Sequence, residues 1–271
     1  MTTKVTQETP RTFSEFIEIV EREQGNCGSS GQLWFRGAGK SSYGLIPTLY
    51  RHPMHRSVQS LEELEQKLIV RFRQRSIPFV TESPKDQWDM LFFMQHYGVP
   101  TRLLDWTESP MVALFFAVMS GPFKITNGLP VYSSDAAIWI LNPAVWNSSA
   151  LKHQSYDRGI LTPVDEALAG YKPGTKFKDM NMHPVALYGA HNSPRIVAQR
   201  GAFTVFGQSN RPMEKVFEAE HFPKGSLLKL VLERDALPAM RLSILNQGIS
   251  ESVVFPDLEN LAKEIKRSFA F

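Results

Sequence analysis

Residues 95–117 read QHYGVPTRLLDWTESPMVALFFA. Gly98 and Pro100 redirect the chain after a helix, and Thr101–Thr107 is then spaced to cross a sheet as a short strand. Ser109-Pro110 opens a helix to Met119 that is apolar on every side, the mark of a helix buried in a core. Along the strand, Arg102, Leu104 and Trp106 alternate with Leu103, Asp105 and Thr107, so one face presents Asp105 and Thr107 together. A strand carrying polar side chains beside a buried helix predicts an α+β fold with a site at that junction.

Working outward, helices come first. Residues 12–24 form an amphipathic helix capped by Thr12 or Ser14, and residues 25–31 (GNCGSSG) form a turn-rich break. LWFRG at 33–37 reads as a strand ending at a glycine. Ser60 and Glu63 make a capping box for a helix to Arg75, with Leu61, Leu64, Leu68 and Phe72 as its apolar stripe. Another helix spans 84–97 and stops at Gly98.

The second half is richer in strand-like runs: AAIWIL at 136–141, FTVF at 203–206 and LLKLVL at 227–232. A last helix starts at Pro256-Asp257 with Leu258, Leu261, Ala262 and Ile265 facing inward. Residues 147–182 are polar and punctuated by Gly and Pro, which predicts an insertion or a mobile flap. The expected architecture is helices in the N-terminal half packed on a small, mainly antiparallel sheet. Residues 1–30 would be a helical lead and 31–271 a single domain.

Composition narrows the function. With 271 residues, 42% of them hydrophobic and 21% charged, the chain suits a globular protein with a sizeable core. A net charge of +3 is far from the dense basic stripes of dedicated nucleic-acid binders; RFRQR at 71–75 is the one local hint of that kind and suits a solvated helix face. The apolar run at 111–119 is too short to span a bilayer, and the first residues lack a signal-peptide core. Cys27 is the sole cysteine, so no intrachain disulfide forms and a cytoplasmic location is expected. No Cys/His spacing predicts a metal site, no GxxxxGK[ST] or GxGxxG predicts nucleotide binding of those types, and no GxSxG predicts a hydrolase.

Candidate site residues cluster in three stretches. Arg36 closes a strand, where a guanidinium makes bidentate contacts with phosphate or carboxylate, and Gly37 beside it would let a ligand approach the backbone. The rival reading pairs Arg36 with Asp105 as a brace. His96, Tyr97, Thr101, Arg102 and Trp106 are candidate ligand contacts around Asp105 and Thr107. Arg195 and Gln199, before the FTVF run, complete the set; for Gln199 the alternatives are orienting a ribose or a water, or bonding nearby backbone.

WFRG at 34–37, LIPTLYR at 45–51, HYGVPTRLLDWTESPMVALFFA at 96–117, RIVAQRGAFTVF at 195–206 and the tail at 248–265 together resemble the FRG domain family, named for its Phe-Arg-Gly motif. The order of WFRG and LLDWTESPMVALFFA is similar, more distantly, to ADP-ribosyltransferases. That resemblance implies an NAD substrate anchored by Arg36, a nicotinamide wall at Asp105–Thr107, and a late glutamate at the ribose. The chain departs from the pattern. It has Asp105-Trp106-Thr107 where a Ser-Thr-Ser would stand, and Gln199 in the late position, unless Glu218 and Glu220 in FEAEHF serve. Three functions follow: an NAD-dependent transferase or glycohydrolase with a protein or nucleic-acid acceptor, a non-catalytic sensor of a nucleotide or phosphorylated small molecule, or an enzyme on nucleic acid. None needs a metal or a membrane. A role in bacterial defence fits such a protein by association alone.

Overall fold

A computed structural model describes residues 4–27, 31–54, 57–80, 84–157, 159–189, 193–269 and 271. Its strands are β1 (Thr6–Glu8), β2 (Trp34–Ala38), β3 (Leu103–Thr107), β4 (Phe123–Thr126), β5 (Leu129–Tyr132), β6 (Ala136–Leu141), β7 (Val185–Leu187), β8 (Gly201–Val205) and β9 (Leu227–Leu232). The first helices are α1 (Phe13–Asn26), α2 (Val58–Ser76), α3 (Gln87–His96), α4 (Pro110–Met119) and α5 (Pro143–Ala150). The later ones are α6 (Pro194–Ala198), α7 (Met213–Ala219), α8 (Leu237–Asn246), α9 (Glu251–Val254) and α10 (Leu258–Ser268).

The fold is α+β. Seven strands form one sheet in the order β1-β9-β6-β2-β3-β8-β7, and β4 and β5 form a separate hairpin. Neighbours in the sheet run antiparallel except β1 with β9. The continuous apolar run of β6 follows from its central place: all six residues are buried, because both faces of the sheet are covered. On one face Trp34, Leu104, Trp106 and Trp139 join the largest core cluster; on the other, Phe35, Ile138 and Ile140 pack with α4 and α8. The expected apolar helix is α4, capped by Ser109, whose side chain accepts from the Val112 amide at 3.3 Å. It lies so close over β2 that a β-carbon on Gly37 would sit 1.9 Å from the Ala113 carbonyl oxygen.

Several expectations are corrected. The cap of α2 is Ser57, accepting from Ser60, so the Ser60–Glu63 pair falls inside the first turn. Helix α1 runs through Gly25, while residues 28–30 of the proposed break lie outside the described residues. Helix α3 begins at Gln87 under an Asp86 cap, because that carboxylate accepts from the Asp89 amide at 2.8 Å. Segment 147–182 does not stand off as a flap: Leu151, Leu161, Leu168 and Tyr171 are fully buried in the main core. The face of α10 expected to point inward points out, with Leu258, Leu261, Ala262 and Ile265 all exposed. No helix among the described residues is long and apolar enough to cross a membrane.

Candidate functional site

Strand β2 pairs with β6 over five residues and β3 pairs with β8 over five, yet β2 and β3 register only at Phe35 and Thr107. The two central strands therefore part immediately beyond that pair, and the parting opens a cavity of about 380 Å³. Arg36, Gly37 and Asp105–Thr107 line it from the strands, while Arg195 and Gln199 line it from α6 and the turn that follows. Residues from three separate stretches of sequence thus meet in one cleft, with Arg36 and Asp105 on adjacent strands.

Arg36 reaches across the gap and its Nη1 donates to the Asp105 carbonyl oxygen. Its distance to the Asp105 carboxylate is 3.8 Å, too long for a hydrogen bond. The Arg36 side chain is 26% exposed and that of Asp105 is 58% exposed, so the brace between them is open to water. Burial holds the Arg36 guanidinium below the usual arginine range; Asp105 works against that and the charge of nearby Arg51 adds to it. Apart from these contacts with Asp105, the Arg36 guanidinium makes no hydrogen bond among the described residues. Such a group is a ready partner for an anion.

Gln95 holds Asp105 from the other side, its Nε2 donating to Oδ1 at 2.9 Å. Thr101, fully buried, donates its hydroxyl to Gln95 Oε1 and accepts from the Leu103 amide at 3.0 Å. Thr101 is therefore one step behind the cleft, positioning Gln95 rather than touching a ligand. Gln95 itself, with Thr48 from the LIPTLYR segment, also lines the cavity, and neither is among the contacts expected from the sequence. Its signal was available, because Gln95 stands directly before His96 in the motif.

Thr107 and Gln199 are both committed to the fold. The Thr107 hydroxyl donates to the Gln199 carbonyl at 2.6 Å and accepts from the Ser109 amide at 3.0 Å. Gln199 Nε2 donates to the Val254 carbonyl at 3.1 Å. Arg195 lies 4.7 Å over the Phe255 ring and donates to the His96 carbonyl at 3.4 Å. The segment after α8 therefore supports this wall of the cleft from behind.

Other expected contacts lie elsewhere. Arg102, named above as a ligand contact, is sealed in the core: its Nε donates to Glu65 at 2.8 Å and its Nη2 to the second Glu65 oxygen. Burial disfavours the Arg102 charge, but the Glu65 carboxylate first, with Tyr50 and Glu62 assisting, outweighs it and raises the pKa. Trp106 is 3% exposed, with Nε1 donating to Thr204 at 3.2 Å, which makes it core and wall at once. His96 borders only a smaller adjoining cavity of about 40 Å³, with Ser193 Oγ 3.3 Å from its Nδ1. Burial first, then the Arg195 charge, lowers its pKa. Tyr97 is exposed, edge-on to Phe93 at 4.9 Å, and does not line either cavity. The space beside Gly37 that a ligand would need is taken by α4 on that side.

Glu218 pairs with Lys215 at 2.9 Å on α7, and neither Glu218 nor Glu220 lines the cleft. Asp105 is the acidic residue that does. No group of three or more His, Cys, Asp or Glu able to hold a metal ion occurs among the described residues. Arg73 and Arg75 of the basic run are exposed on α2, away from the cavity lining.

Residues 31–122 match the family model of the FRG domain. The match takes in β2, α2, α3, β3 and α4, hence Arg36, Gln95, Asp105 and Thr107; it stops short of Arg195, Gln199 and the C-terminal tail. No curated protein and no solved structure matches the chain.

Proposed function

We propose that the FRG domain at residues 31–122, completed by Arg195 and Gln199, binds an anionic nucleotide of NAD type and acts as an enzyme of ADP-ribosyltransferase type. The observation that carries this reading is the charge arrangement of the cleft. Arg36 and Arg195 line it together with one well-hydrated carboxylate, Asp105. Guanidinium N–H groups suit the diphosphate of a dinucleotide. A cavity near 380 Å³ falls at the low end of the roughly 300–1,000 Å³ of small-molecule sites, so it would take one end of the ligand and leave the rest in the open mouth.

In the reaction, the bond between ribose C1′ and the nicotinamide nitrogen breaks and the electron pair leaves with nicotinamide. Positive charge builds on the ribose, where a negative side chain stabilises it. Asp105, oriented by Gln95, supplies that charge; Gln199 does not, since its amide is neutral and already donates to Val254. An oxygen or nitrogen of water, protein or nucleic acid forms the new bond to C1′ and loses its proton to Asp105 or to solvent.

The commitment of Thr107 and Gln199 to structural hydrogen bonds favours a second reading, a cleft that binds such a nucleotide without turning it over. Thermal shift and nicotinamide release, measured with NAD and candidate acceptors, separate the two. NAD at 100 times its dissociation constant raises stability by roughly 2.7 kcal/mol. Arg36→Ala is expected to lose both the shift and turnover, while Asp105→Asn keeps the shift and loses turnover. A shift without nicotinamide release under any acceptor selects the binding module. No shift at all removes NAD as the ligand.

A further inference from the structure

Helix α10 is amphipathic, with Leu258, Leu261, Ala262 and Ile265 continuing to Phe269 at the spacing of a single helical stripe. Such a stripe ordinarily faces the core. Here the polar side does. Glu264 accepts from Ser250 Oγ at 2.6 Å and from the Ser252 amide at 3.1 Å, and Arg267 clasps Glu251 through two bonds of 2.9 Å. The helix is thus pinned to α9 by its polar face, and its apolar stripe is turned to solvent. Leu258 is 83% exposed, Phe269 73%, Ile265 50% and Leu261 41%.

We propose that this stripe is a self-complementary interface on which a second copy of the chain docks, α10 against α10 in antiparallel orientation. The charges argue for that occupant. Glu259 and Lys266 are seven residues apart, two helical turns, and so lie on the same flank of the stripe. In an antiparallel pair related by a two-fold axis, residues on one flank meet their own counterparts across the axis. Setting Leu261 of one copy against Ile265 of the other leaves Leu258 and Phe269, and Glu259 and Lys266, each within one residue of level with each other, twice over. Lys266 makes no salt bridge within the described residues, while Glu259 pairs with Lys263 of its own helix at 2.7 Å in an exposed contact that the partner's Lys266 would join or displace.

The interface would be a modest one. Leu258, Leu261, Ile265 and Phe269, 41% to 83% exposed, would form its apolar centre, and the flanking charged residues would have to carry it past the roughly 1,000 Å² total that marks a biological interface. A lipid surface fits less well, because a helix that lies on anionic membranes is rich in Lys and Arg on its polar face. The polar residues of α10 are nearly balanced, Glu259 and Glu264 against Lys263, Lys266 and Arg267.

Sedimentation equilibrium of the whole chain tests the proposal, with circular dichroism confirming that each variant is folded. Concentration-dependent dimers are expected, and Ile265→Asp is expected to leave only monomer. Glu259→Lys alone and Lys266→Glu alone each set like charges against each other at both contacts and are expected to weaken association about tenfold. The combined variant E259K/K266E exchanges the two charges and is expected to recover most of that loss. The proposal is overturned by a chain that stays monomeric into the high micromolar range, by dimers indifferent to Ile265→Asp, or by charge reversals that the double variant does not repair. It is equally overturned if the monomer sediments with vesicles of anionic phospholipid and never with itself.

Discussion

Arg36 and Arg102 are two arginines of one sheet region with opposite fates. Arg102 and Glu65 are both essentially inaccessible and bonded to each other, whereas Arg36 and Asp105 lie 3.8 Å apart at a cleft mouth with 26% and 58% of their side chains exposed. Removing one member of a sealed pair strands a charge; loosening an open pair costs little. Glu65→Gln is therefore expected to destabilise the fold by about 3–5 kcal/mol. Asp105→Asn is expected to cost less than about 1 kcal/mol. Urea denaturation reads both, and comparable losses for the two would contradict this division. From the sequence, Arg102 and Asp105 stand three residues apart in one motif and look equally site-like. What separates them is Glu65, supplied from α2, a partner that no local pattern in the motif names.

At the scale of elements, the stretch 95–117 was legible because each turn in it has a local cause. Gly98 adopts φ +74°, a conformation open to glycine at little cost, and Ser109-Pro110 caps and starts α4. The strands at 136–141 and 227–232 were legible for the same reason, as short β-prone runs between turn residues. The direction of α10 was not, since an amphipathic pattern gives the stripe but not which side meets the body. The seating of 147–182 was not either: beyond Leu151, at the end of α5, its buried residues Leu161, Leu168, Tyr171 and Met180 are widely spaced and follow no sustained helical or strand period. Two glycines of the same motifs should respond differently to alanine. At Gly37 the new β-carbon meets backbone of α4 at 1.9 and 2.7 Å, so the helix must shift, at an expected cost of about 1–3 kcal/mol. At Gly98 nothing lies within 4 Å and the cost is only that of a left-handed backbone, about 1–2 kcal/mol.

For the whole molecule, the burial of His96 and His183 gives stability a component that responds to mild acid. The pKa of His96 is lowered by burial and by Arg195. That of His183 is lowered by burial, with Glu220 opposing and His153 and Arg211 assisting; its Nδ1 is buried without a hydrogen bond among the described residues. Both groups are thus harder to protonate in the folded protein than in the unfolded chain, where the value is near 6.5. Above that pH neither state binds the protons and stability is unaffected. As pH falls below it, the unfolded chain takes up protons first, so the free energy of unfolding decreases until the folded values are passed. Melting midpoints measured from pH 7.5 down to 5.5 should therefore fall, before the carboxylates contribute. His96→Gln combined with His183→Gln should flatten that decline. A midpoint constant across this range, or an unchanged slope in the double variant, would show that these two histidines do not carry the acid response.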